Sequence, residues 1–131
     1  MKELKDYIHL YIGCELIGKL HGKPTKGLLT GINGEYEAEI QFFEEDGINV
    51  FEYPEYNDFE KVKLILRPLS DMTEEEKLFV YNFDIWLGGM SVNESLPINA
   101  EITYFLLSKY FDLFGLIESG LAIDKTTLPQ N

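Results

Sequence analysis

His9, Cys14 and His21 are the residues of this sequence best suited to serve as base, nucleophile or soft metal ligand near neutral pH. Their spacing matches none of the paired Cys or His patterns that hold zinc. A thiol–imidazole pair of Cys14 with either histidine needs a positive pocket to lower the thiol pKa. A chain with 23 acidic against 11 basic residues is poorly equipped to supply one, so Cys14 is expected to be a buried structural thiol. Carboxylates are so abundant that pairs meet by accident, and acid–base work requires one of them in an apolar pocket. Glu44, Glu45, Asp46 and Asn49 lack the alternating oxygen ligands and closing Glu of a calcium loop and read as a solvated turn. Gly31 and Gly88-Gly89 fit neither a Walker pattern nor a dinucleotide fingerprint and serve turns. These patterns lead us to expect no catalytic residue, no metal and no cofactor.

Recognition chemistry is better represented. Tyr53, Tyr56 and Trp86 can form an aromatic surface of the kind that carries binding energy at interfaces. Glu35, Glu37 and Glu39 alternate with Tyr36, Ala38 and Ile40, which turns a ladder of carboxylates outward from one strand. The net charge of −12 repels phosphate backbones and anionic lipid, and it attracts and steers a basic protein. A protein partner is therefore expected, with no direct nucleic acid and no membrane.

The elements that must position these groups read as an α+β fold. Leu4, Tyr7, Ile8, Tyr11 and Ile12 have the spacing of an apolar helix face stopped by Gly13, and the rival is a strand from His9 to Ile12 continuing through 15–20. After a turn over 22–26, strand-like runs 27–32 and 35–43 flank Asn33-Gly34, a two-residue turn of the favoured hairpin type. Further strands are expected over 48–53 and 62–66, separated by short turns. In the latter, Lys61, Lys63 and Arg67 alternate with apolar residues and can lie beside acidic ones, depending on strand order. Four or five such strands suggest an antiparallel meander curled into a small SH3-like roll or barrel, preceded by the short N-terminal helix.

Two to three helices follow and pack on it. Thr73-Glu74-Glu75-Glu76 is a capping box opening a helix with Leu78, Phe79, Asn82, Ile85 and Trp86 on its apolar stripe. A second helix is expected over about 98–110 after Pro97, with Ile98, Ile102, Phe105 and Leu106 inward. Asp112 caps a third, short turn of helix through Ser119, with Gly120 in the left-handed terminator position, and the tail after Asp124 reads as loose. A β-rich part, 1–69, thus precedes a helical part, 70–124, with no Gly, Ser or Pro-rich linker, so one domain is expected across the 131 residues.

A single cysteine excludes an internal disulfide and suits a reducing compartment. The opening Met-Lys-Glu-Leu-Lys-Asp has no apolar run of the signal-peptide type, and no stretch approaches the roughly 18 apolar residues of a span. Cytoplasmic residence is expected.

The stretches Ile65-Leu66-Arg67-Pro68-Leu69-Ser70-Asp71-Met72-Thr73-Glu74-Glu75-Glu76 and Phe111-Asp112-Leu113-Phe114-Gly115-Leu116-Ile117-Glu118-Ser119-Gly120-Leu121-Ala122-Ile123-Asp124 resemble segments of small, uncharacterised phage- or prophage-associated proteins of gut anaerobic bacteria. The resemblance implies an accessory protein of a mobile element, acting in a bacterial or phage-infected cell, and it transfers no catalytic residue. The functional expectation is a non-enzymatic module that binds a host or phage protein through an acidic surface. Its rivals are a small-ligand-binding protein or enzyme with a pocket between sheet and helices, and a decoy whose carboxylates imitate DNA phosphates.

Overall fold

A computed structural model describes residues 2–33, 37–43, 49–55, 59, 61–86 and 100–128, with 33 and 81–86 as backbone alone. The apolar N-terminal run forms two short 3₁₀ helices, Leu4–Asp6 and Ile8–Tyr11, rather than one α-helix or a strand. Tyr7, at φ −123° and ψ −19°, leaves helical geometry between them. The bonds run over three residues, from Tyr7 N–H to the Leu4 carbonyl (3.0 Å) and from Leu10 N–H to the Tyr7 carbonyl (2.9 Å). Leu4, Ile8 and Tyr11 are buried, but Ile12 is not, so the stripe ends one residue early.

Six strands follow: β1 (Glu15–Leu20), β2 (Lys23–Asn33), β3 (Glu37–Phe43), β4 (Asn49–Glu52), β5 (Lys63–Leu66) and β6 (Ala122–Asp124). They form one sheet in the order β4-β3-β2-β1-β5-β6, antiparallel except for the parallel pair β5–β6. The fold is α+β, with two helices, α1 (Glu74–Trp86) and α2 (Ala100–Ser108). The expected roll or barrel does not close. Strands β4 and β6 lie at opposite edges, and the C-terminal segment takes the side of β5 that a closing strand would need. That segment also corrects the expected loose tail: Lys125–Thr127 is a 3₁₀ turn capped by Asp124, whose side chain accepts from Thr126 N–H at 2.8 Å.

The two-residue hairpin turn is His21-Gly22, with φ +52° and +78°, so β2 begins inside the expected turn. Pro24 is tolerated there because β2 has only β1 beside it until its pairing with β3 starts at Gly27. Of the expected Asn33-Gly34 turn, Asn33 belongs to β2 instead and pairs with Glu37, while Gly34 lies outside the described residues. A bulge between Leu29 and Gly31 sets this register, and its gain is steric. It lays Phe42 over glycines; a Cβ on Gly27 or Gly18 would approach that ring to 2.9 or 3.0 Å. In β3, Ala38, Ile40 and Phe42 are buried while Glu37, Glu39 and Gln41 lie on the other face, as their alternation predicts.

The capping box is formed. Thr73 N–H donates to Glu76 Oε1 (2.8 Å) and Glu76 N–H to Thr73 Oγ1 (3.2 Å). Of the expected stripe, Leu78 is 60% exposed, Phe79 is part-exposed but stacks on the Phe105 ring at 4.2 Å, and the side chains of Asn82, Ile85 and Trp86 lie outside the described residues; Val80 is buried, and so is the carboxylate residue Glu76. The cause lies upstream. Arg67 forms a bidentate pair with Glu76 (2.8 and 2.7 Å), bonds Asp71, and stacks 4.2 Å from the centre of the Phe111 ring. Helix α2 buries Ile102 and Leu106, with Phe105 partly buried, as expected; Ile98 and Pro97 lie outside the described residues. Asp112 accepts from the N–H groups of Phe114, Leu116 and Ile117 and Gly120 takes φ +80°, but the segment between them forms turns rather than the expected third turn of helix. The larger core gathers the 3₁₀ residues, the inner sheet face and Leu116, and the second gathers Met72, Val80, Ile102, Leu106 and Phe111. The Tyr11 hydroxyl, donating to the Phe111 carbonyl at 2.8 Å, joins them.

Candidate functional site

Glu37 and Glu39 share the outer face of β3, and the β3–β4 register brings Tyr53 to the same place. Ile40 faces Glu52 and Gln41 faces Phe51, and the bridge between Glu37 and Glu55 continues that alignment, setting Tyr53 beside Glu39. Two aromatic residues that sequence reasoning missed complete the surface. Phe43 is 58% exposed and Phe51 46%, matching the 46% of Tyr53. Single exposed apolar residues are ordinary, but three aromatics on adjoining strands form a patch. The signal was present in the sequence: Phe51 and Tyr53 stand two apart, on one face of a strand. Of the other candidates, Glu35 and Tyr56 lie outside the described residues, as does the side chain of Trp86, whose backbone closes α1.

The carboxylates are half-buried rather than a fully solvated ladder, and Thr30 at the bulge donates its hydroxyl to Glu39 Oε1 at 2.8 Å. Among the described residues, neither Glu37, Glu39 nor Glu55 takes part in an ion pair. Chain order explains why. Between Lys26 and Lys61 the sequence holds no Lys or Arg and ten acidic residues: Glu35, Glu37, Glu39, Glu44, Glu45, Asp46, Glu52, Glu55, Asp58 and Glu60. The basic strand β5, which could have neutralised them, pairs instead with β1 and β6. Its neighbour Arg67 is held by Glu76 and Asp71. The β3–β4 end of the sheet is therefore acidic and aromatic together.

Elsewhere the structure offers architecture. Cys14 is fully buried and donates to the Ile65 carbonyl at 3.1 Å, and burial pushes its thiol up to about 12. His9 and His21 are exposed, so neither forms a pair with that buried thiol. Glu76 is held down to about 2, chiefly by its hydrogen bonds from Arg67, the opposite of a carboxyl poised to give up a proton near neutrality. A cavity of about 370 Å³ on the outer sheet face, lined among others by Leu28, Ile65 and Tyr110, contains the carboxylate Glu15, which is already tied to Lys26 at 2.6 Å. No group of three or more potential metal ligands is found among the described residues, and no helix among them is long and apolar enough to cross a membrane. Compared with protein-family models, curated proteins and solved structures, the chain matches none.

Proposed function

We propose that this chain is a non-enzymatic module that docks a basic host or phage protein on the outer face of β3 and β4. The observation that carries the reading is the coincidence of Phe43, Phe51 and Tyr53, all exposed, with Glu37, Glu39 and Glu55 on a segment devoid of basic residues. The aromatic rings supply area to desolvate, and the carboxylates steer and orient a positively charged partner. A decoy of DNA is less well supported. The exposed rings of Phe43, Phe51 and Tyr53 stand among the carboxylates of this face, and a phosphate backbone offers no counterpart to them.

The test is affinity purification from host lysate with the wild-type chain and with a Phe51→Ser/Tyr53→Ser variant. A basic protein retained by the first should then bind the purified wild type at least about tenfold more tightly than the variant. Its retention should fall as salt rises. Equal binding by both chains, or retention indifferent to salt, rejects this face as the docking surface.

A further inference from the structure

The backbone of β4 specifies how that face is used. The hydrogen bond from Ala38 N–H to the Pro54 carbonyl (3.1 Å) sets the phase of the β3–β4 ladder. With Ile40 opposite Glu52 and Phe42 opposite Val50, the residues of this segment that face β3 are 50, 52 and 54. In an antiparallel pair the intervening residues point their N–H and C=O groups the other way. Those residues are Phe51 and Tyr53. Strand β4 ends the sheet order, and no backbone hydrogen bond among the described residues reaches these outward groups. The two residues with exposed rings thus also hold the open ladder edge.

Natural sheet edges are commonly blunted by lysine or by proline on the open side. Here neither device operates. Residues 49–55 contain no lysine, and Pro54 lacks its N–H on the side facing β3, which leaves the outward donors intact. Charge selects the occupant. We infer that β4 accepts an extended segment bearing lysine or arginine from a protein partner as an added strand. This rests on the docking function proposed above and specifies its mode. Main-chain hydrogen bonds form to Phe51 and Tyr53, alternate basic side chains pass over the two rings and reach Glu55, and Glu37 and Glu39 add to the attraction. A second copy of the chain is a poor occupant, because its own β4 brings Glu52 and Glu55 against the same carboxylates.

The test uses the full chain labelled with ¹⁵N and, as probe, a capped synthetic nonapeptide of alternating lysine and valine. Saturable binding is expected, with amide hydrogen exchange at Phe51 and Tyr53 slowed at least about tenfold and little change at Val50 and Glu52, already bonded to β3. The same peptide N-methylated at alternate residues should bind at least about tenfold more weakly, because its ladder donors are blocked. Absence of binding overturns the inference. So does binding that shifts the Phe51 and Tyr53 ring signals without protecting their amides, an outcome that leaves docking on the face intact. Protection of those amides in a concentration-dependent dimer without peptide assigns the edge to a second copy and also overturns it. Failure of the docking function itself is read separately, as equal partner binding by the wild type and the serine variant.

Discussion

Cys14 and Glu76 show how surroundings decide what a reactive side chain does, through burial for the thiol and through hydrogen bonds from Arg67 for the carboxylate. The thiol is enclosed and its pKa is pushed up to about 12, so the thiolate that reagents attack is scarce at neutral pH. Iodoacetamide at pH 8 should leave the native protein unmodified by mass and alkylate it fully in denaturant; rapid alkylation of the folded chain contradicts this placement. Glu76 titrates at about 2 when folded, below its ordinary 4.5, so its contribution to stability is complete above about pH 4.5 and is lost as pH falls toward 2. Glu76→Gln should cost about 2 kcal/mol at pH 7 and little by about pH 2, measured by urea unfolding across that range. A constant difference at every pH excludes the ion pair as its source.

Glycine positions determine the register of the β2–β3 hairpin. A Cβ at Gly27 meets the Phe42 ring at 2.9 Å and the Gln41 carbonyl at 3.1 Å, while one at Gly31 meets nothing within 4 Å. Thermal unfolding should therefore show Gly27→Ala destabilised by about 1–3 kcal/mol and Gly31→Ala within about 0.5 kcal/mol of wild type. Equal effects rule out ring packing as what fixes the register. This fit also explains why Asn33, read from sequence as a turn residue, is paired within β2: seating Phe42 outweighs its local turn preference. The capping box at Thr73 was legible because donors and acceptors lie three residues apart. The burial of Glu76 on α1 was not, because it follows from its contact with Arg67, outside the helix.

Strand order gives the whole molecule its charge asymmetry. Separating β5 from β3 and β4 leaves an acidic end whose carboxylates repel one another most at low ionic strength. Raising salt from about 20 mM to about 300 mM should stabilise the free protein by about 1 kcal/mol, seen as a melting point higher by roughly 3–6 °C. The same change should weaken attachment of a basic partner. A melting temperature that falls with added salt contradicts the asymmetry, since it would mean that attractive pairs dominate the field.

Sequence alone determined the features whose causes lie within a few residues: alternation along β3, the caps at Thr73 and Asp112, and the net charge of −12. The pairing of strands was decided only in the tertiary structure, because each segment can satisfy its backbone against several neighbours and packing selects among them. That selection put Ala122–Asp124 beside β5, kept the sheet open, and left Phe51 and Tyr53 on an acidic edge.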